Sequence, residues 1–162
     1  MALARARHPS NIEADYNLVL SNARRKAISS QRQRDAALDK ETVQVPLGDD
    51  PEYPLFVGTR LIGCLTIKGV VNGAFYTVTS IKRPGGRCIL RDDLTGAMWE
   101  GTPEDLSKCT QLRHAITYSK CQGQSLSGSV ALWDLTNQHF TRRHLYVGLG
   151  RVRHGSLLFI NG

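Results

Sequence analysis

The chain has 162 residues, 41% hydrophobic and 22% charged, close to the values of an ordinary globular domain and too ordered in composition for wholesale disorder. No apolar run reaches the ~18–20 residues of a membrane span, and the basic start Met-Ala-Leu-Ala-Arg-Ala-Arg lacks the apolar stretch of a secretory signal. Lys and Arg (21) outnumber Asp and Glu (14), giving +7 and a pI near 9.5, a surplus that favours a polyanion such as nucleic acid.

In chain order, residues 1–15 read as a flexible basic arm. Tyr16 to Ser21 is an apolar run of strand length, and Asn22 is placed to cap a helix from Ala23 to about Leu38. That helix has few apolar positions, chiefly Ala27, Ile28, Ala36, Ala37 and Leu38, so it should bury only a narrow stripe. From about residue 43 to 100 the pattern changes to strands, with Val57–Ile67 and Ala74–Ile81 rich in β-branched and aromatic residues around the turn dipeptide Asn72-Gly73. Arg87–Arg91 and Ala97–Glu100 continue the series, which predicts a small barrel or curled sheet. Thr102-Pro103-Glu104-Asp105 has a cap, a first-position proline and first-turn acids, the start of a helix. The last third returns to α/β: strands at His114–Tyr118, Ser129–Leu135 and Ser156–Ile160, and a helix over Thr141–Val152 with Leu145, Leu149 and Val152 on one face.

The four cysteines (Cys64, Cys88, Cys109, Cys121) include no C-x-x-C pair, so a zinc ribbon or dithiol redox centre is excluded, and reduced thiols in an intracellular protein (nucleus or cytoplasm) are expected. His139 and His144 lack the cysteine pair that would complete a metal site. There is no phosphate-cradling G-x-x-x-x-G-K-[ST], no G-x-S-x-G and no H-E-x-x-H. The acidic pairs Asp49-Asp50, Asp92-Asp93 and Glu104-Asp105 sit in turns or at a helix start. A self-sufficient NTPase or hydrolase is therefore not expected.

Two segments carry a more specific signal. Ala115-Ile116-Thr117-Tyr118-Ser119-Lys120-Cys121-Gln122-Gly123-Gln124-Ser125-Leu126 and Leu145-Tyr146-Val147-Gly148-Leu149-Gly150-Arg151-Val152-Arg153 resemble, in order and spacing, motifs V and VI of superfamily 1 helicases of the RecD-like and Pif-like branch. Tyr16 to Lys26 resembles the strand and helix start of motif IV. Departures are Ser119 and Cys121 in the first segment and Gly148 and Gly150 in the second, the glycines costing about 0.5–1 kcal/mol each in a helix interior.

The resemblance implies a partial RecA-like parallel sheet of α/β class. Residues 16–45 would form its first part and 108–162 its second, with residues 46–107 as an inserted Src-homology-3-like β-barrel. It implies Arg151 as a catalytic arginine finger, and Arg24, Arg25, Gln122, Gly123 and Arg151 as nucleotide-binding, with nucleic acid the other ligand open to Arg24 and Arg25. Thr117, Lys120 and Ser125 would hold nucleic-acid phosphates, and glycine would allow close backbone approach. Tyr76, one of the alternating pair Phe75-Tyr76, is the candidate base-stacking side chain. ATP and Mg²⁺ would be held only through a missing N-terminal RecA-like domain with a P-loop, supplied in cis or trans. Single-stranded DNA is the expected partner, with RNA as the other candidate and no membrane. The chain alone is expected to be inactive. The rival expectation is a non-enzymatic nucleic-acid-binding module derived from a helicase.

Overall fold

The computed structural model describes residues 6–11, 13–47, 50–67 and 69–161; Asp49 of the first acidic pair lies outside them. The chain enters through strand β1 (Tyr16–Val19) and helix α1 (Asn22–Ala37). A β-rich stretch follows: β2 (Val43–Leu47), β3 (Asp50–Leu55), β4 (Arg60–Gly63), β5 (Phe75–Lys82), β6 (Arg87–Asp92) and β7 (Met98–Gly101). Helix α2 (Pro103–Cys109) and strand β8 (Thr110–Leu112) end it. The remainder is β9 (Ala115–Thr117), the single turn α3 (Tyr118–Cys121), β10 (Val130–Leu132), α4 (Arg142–Leu149) and β11 (Leu158–Ile160). Two compact units result: residues 1–28 with 114–162, and residues 29–113. The predicted insertion, 46–107, falls inside the second unit.

The first unit is built on a parallel sheet in the order β11-β10-β1-β9. Its short strands are buried almost throughout, with Leu18, Val19, Ile116, Val130, Ala131 and Leu132 at 7% exposure or less. Parallel strands are covered on both faces, and this is why their sequences read as continuous apolar runs rather than alternations. Asn17 is the polar exception. Its Nδ2 donates to His114 O (3.0 Å) and its Oδ1 accepts from Trp133 Nε1 (2.8 Å), so the buried amide is satisfied. Residues 8–11, within the segment read as an arm, are tied to the far edge: Asn11 N–H donates to Asn161 Oδ1 at 2.8 Å, and Asn161 Nδ2 donates back to Asn11 O at 3.1 Å.

Helix α1 starts one residue earlier than its sequence suggests. Ser21 Oγ accepts the Arg24 N–H (3.2 Å), so serine, not Asn22, supplies the cap. The expected apolar stripe is also replaced. Leu38 is 74% exposed, and the buried positions are Ser29 and Gln33. Gln33 Nε2 donates to Pro54 O (2.6 Å) and Thr59 Oγ1 (2.9 Å), so this end of the helix is held by polar bonds rather than by area.

In the second unit the strands pair antiparallel, as a β2-β3 hairpin and a five-stranded sheet in the order β7-β6-β5-β4-β8. One core serves both, with Val45, Tyr53 and Leu55 from the hairpin, Leu61, Tyr76, Val78, Cys88 and Leu90 from the sheet, and Leu106 and Cys109 from α2. Thr102 caps α2 with the reciprocal bonds foreseen from Thr-Pro-Glu-Asp: Asp105 N–H to Thr102 Oγ1 and Thr102 N–H to Asp105 Oδ2, both 3.2 Å. No helix among the described residues is long and apolar enough to cross a membrane.

Candidate functional site

The site is built from the two sequence segments singled out above, both in the first unit. Strand β9 delivers Thr117, whose hydroxyl accepts the Lys120 N–H (3.3 Å) and so starts α3. After one turn the chain is extended at Gln122 and enters the left-handed region at Gly123, φ +83°, where a non-glycine residue would be strained. Leu126 is buried and anchors the loop, leaving Gln122, Gly123 and Ser125 exposed.

Helix α4 lies against this segment because Gly148 is small. A Cβ on Gly148 would stand 2.7 Å from Leu132 Cδ2 and 3.3 Å from Tyr118 Cε1. The glycine read as a softening of the helix is what lets α4 approach the sheet. Tyr118 fills the space, its ring edge-on to Phe140 (5.5 Å between centroids) and its hydroxyl donating to Trp133 O (2.9 Å). Burial pushes that phenol well above its ordinary value. The expected inward face of α4 is not buried: Leu145 and Leu149 are 36% and 46% exposed, because packing runs through Gly148 instead.

Arg151 follows the helix and turns back on the loop. Its Nη1 donates to Gln124 O at 2.6 Å, and Arg143 Nη2 reaches Gln122 Oε1 at 3.4 Å. Arg151 from the second segment and Arg143, two residues before that segment on α4, therefore converge on the Gln122–Gln124 turn of the first, 27 residues away in sequence in the case of Arg151. Arg151 Nε is buried with no acceptor. Burial raises the Cys121 thiol to about 12 even though the Arg151 charge nearby pulls it down, so this cysteine stays protonated and is no nucleophile near neutrality.

Arg24 and Arg25 enter a different set of contacts, at the carboxyl ends of β1 and β10. Arg24 Nη1 pairs with Asp134 Oδ1 (2.9 Å) and its guanidinium lies 5.6 Å from the Trp133 ring centroid. Asp134 Oδ2 accepts the Leu20 N–H (2.9 Å), and Asp134 itself is 8% exposed with φ +65°. Arg25 Nε donates to Asn22 Oδ1 (3.2 Å). Asp134 was not foreseen, since Ser129–Leu135 reads as one strand. The strand stops at Leu132, and the available signal was the tolerance of aspartate for positive φ.

Tyr76 must be corrected. It is 2% exposed, packed in the core of the second unit, and its hydroxyl accepts the Val71 N–H at 2.9 Å, so it cannot present a ring to a base. Strand alternation turns Phe75 outward instead. Among the described residues no three His, Cys, Asp or Glu side chains cluster to hold a metal; His144 instead accepts the Thr141 N–H at Nδ1 (3.0 Å).

Parallel strands buried almost throughout, with charged groups gathered on the connections around them, define a mixed α/β unit with a parallel four-stranded sheet, interrupted in the chain by a β-rich unit. Solved structures that share this fold include Pif1 helicases. The chain superposes on two coordinating Pif1 helicases at forked duplex DNA with a TM-score of 0.66 and 19% identity, over 99% of this chain and 42% of that one. For Pif1 from Candida albicans the TM-score is 0.63 at 15% identity, covering 98% and 48%. For Bacteroides Pif1 bound to single-stranded DNA it is 0.61 at 18%, covering 96% and 42%. The chain thus spans less than half the length of these structures. No family model and no curated protein matches the sequence.

Proposed function

We propose that this chain is one half of a superfamily 1 helicase motor, the half that senses nucleotide with an arginine and grips a single strand. The observation that carries the reading is the convergence of Arg151 and Arg143 on the Gln122–Gln124 turn. Two segments that resemble motifs V and VI would be coincidence if they faced apart; they share one set of hydrogen bonds.

Each part has a physical role. Arg151 holds a guanidinium half out of water, with one donor lacking an acceptor. A phosphate oxygen would satisfy that donor once Arg151 leaves Gln124 O, and a positive group so placed stabilises charge developing at a transferring phosphoryl, an effect worth about 10³–10⁵ in rate. ATP supplies the transferable phosphoryl when bound, and Mg²⁺ offsets its charge. The donor set here fits only one side of a nucleotide, since the sequence has no P-loop, so the triphosphate and its metal belong to a P-loop-bearing RecA-like domain in cis or trans. Gln122, Gly123, Arg24 and Arg25 would add contacts, Arg24 only by exchanging Asp134 for the ligand. Lys120, Thr117 and Ser125 would meet strand phosphates, with Gly123 keeping the turn low. Residues 46–107 of the second unit are read as a Src-homology-3-like barrel, supported by the single core that hairpin and sheet share.

The test joins the chain to the P-loop domain of a Pif1 helicase and measures ATPase stimulated by single-stranded DNA. Arg151→Ala should lower turnover about 10³-fold while DNA affinity stays within twofold. Equal turnover with and without Arg151 would overturn the reading. The chain alone should hydrolyse no ATP.

A further inference from the structure

The turn on which Arg151 rests is anchored at its two ends and open between them. Cys121 and Leu126 are buried, at 0% and 2% exposure, while Gln122, Gly123 and Ser125 between them are exposed. A Cβ on Gly123 would meet nothing within 4 Å, so no side chain packs over it. Polar bonds give the turn its shape instead. Gln124 N–H donates to Cys121 O (3.0 Å), Arg143 Nη2 donates to Gln122 Oε1 (3.4 Å), and Arg151 Nη1 donates to Gln124 O (2.6 Å). The Arg151 bond is short and charge-assisted, a kind roughly twice as strong as a neutral one.

Arg151 itself has a fixed backbone and a side chain free to change acceptor. Its N–H bonds Gly148 O (3.2 Å) and the following N–H, of Val152, bonds Leu149 O (3.3 Å), so the helical turn that ends α4 holds the main chain. The guanidinium keeps a further donor, Nε, buried without an acceptor. A carbonyl is neutral, and a phosphate oxygen, being charged, is the stronger acceptor for the same group. A change of side-chain rotamer is enough to exchange one for the other. The turn left behind would lose its strongest bond, and Gly123, at φ +83°, is a residue that absorbs backbone rotation at little steric cost.

We propose that the Gln124 carbonyl makes Arg151 a two-position clamp: without nucleotide the guanidinium holds the Gln122–Ser125 turn in its strand-gripping shape, and when a nucleotide phosphate draws Arg151 away the turn loosens and its hold on the strand weakens. This rests on the helicase reading and adds the regulation of that site. Lys120 and Ser125 flank the clamped residues, so a turn held in one shape presents their donors to a strand phosphate without a further ordering cost. The guanidinium serves one acceptor or the other, so nucleotide and strand-gripping turn compete for it and each weakens the other by the same factor. In a joined protein saturated with ATP the turn is already released, and this is why Arg151→Ala leaves strand affinity unchanged there.

The full chain, without nucleotide, is titrated with fluorescent oligothymidine. Arg151→Ala should weaken binding about 10-fold, the effect of one hydrogen bond to a charged group, and should leave the slope of log affinity against log salt unchanged. Gln124→Pro deletes the N–H that closes the turn on Cys121 O and displaces the carbonyl, so it should weaken binding too. Combining the two should be no worse than Gln124→Pro alone, within twofold. Additive losses would overturn the clamp, as would a salt slope lowered by about 0.7 in Arg151→Ala, the mark of a direct phosphate contact. The Arg151→Ala affinity and slope decide the matter even where Gln124→Pro lowers the unfolding midpoint. In the joined protein, a non-hydrolysable ATP analogue should weaken oligothymidine binding about 10-fold more in the parent than in Arg151→Ala; an equal effect on both would overturn the proposal. The two failures are distinguishable. Additive losses beside an ATPase that needs Arg151 would end the clamp and leave the helicase reading standing, whereas an ATPase indifferent to Arg151 would end both.

Discussion

The two units solve the same problem, a place for charged chemistry, in opposite ways. In the unit of residues 1–28 and 114–162 the parallel strands are buried on both faces, so polar groups can gather only beyond the strand ends and on connecting turns: Arg24 with Asp134, Arg151 with Gln124. In the unit of residues 29–113 the antiparallel sheet turns Leu61, Tyr76, Val78 and Leu90 into the core, and its other face carries exposed Arg60 and Arg91 beside buried Ile62. The first arrangement yields few, strongly oriented contacts at strand ends; the second sets charged side chains along the sheet itself. Strand direction, more than residue content, decides which.

The comparison can be broken most sharply at Arg151, where the joined protein should lose about 10³ in ATPase without losing DNA. If instead DNA binding collapses, the turn is structural and the contrast between the units fails. Next in size is Gly148→Val, which forces a side chain into Leu132 and Tyr118 and should cost about 1–3 kcal/mol or more by urea unfolding. A Gly123→Ala change meets nothing within 4 Å and should cost only about 1 kcal/mol, through its φ of +83°. Equal penalties for the two would mean that α4 does not rest on Gly148. Asp134→Ala removes an acceptor from Leu20 N–H and the partner of Arg24, for about 1–3 kcal/mol; Asp134→Asn should recover most of it because the backbone bond survives.

The smallest effect is a matter of pH. Burial raises Cys88 and Cys121 from 9.0 to about 11 and about 12, so the folded chain holds protons that the unfolded chain releases. Their contribution is intact below pH 9 and is lost as pH rises through about 9 to 12, so stability should fall in that window. Buried Cys88, Cys109 and Cys121 should also resist a thiol reagent that labels half-exposed Cys64 in the folded protein. Simultaneous labelling of all four would show that neither core is closed.

The sequence reached some of this and missed the rest for identifiable reasons. Thr102-Pro103-Glu104-Asp105 announces its helix because capping is local chemistry, and β5, β6 and β9 lie within a residue or two of their predicted runs. Val57–Ile67, read as one strand, is shortened to Arg60–Gly63, where a turn opens at Gly58 with φ +99°. The inward choice between Phe75 and Tyr76 was not legible, since alternation tells that they differ and not which one the core takes. Asp134 was invisible because its carboxylate answers to Leu20 and Arg24, more than a hundred residues upstream.

By itself the amino-acid order determined where the chain turns, which stretches are strand or helix, and the surplus of positive charge, because these follow from side-chain shape, capping groups and counts. Tertiary structure alone decided that Gly148 is a contact rather than a weakness, that Arg24 is paired, that Tyr76 is core, and that Arg151 meets the Gln124 carbonyl. Each depends on which distant segment packs opposite, and no local pattern encodes that.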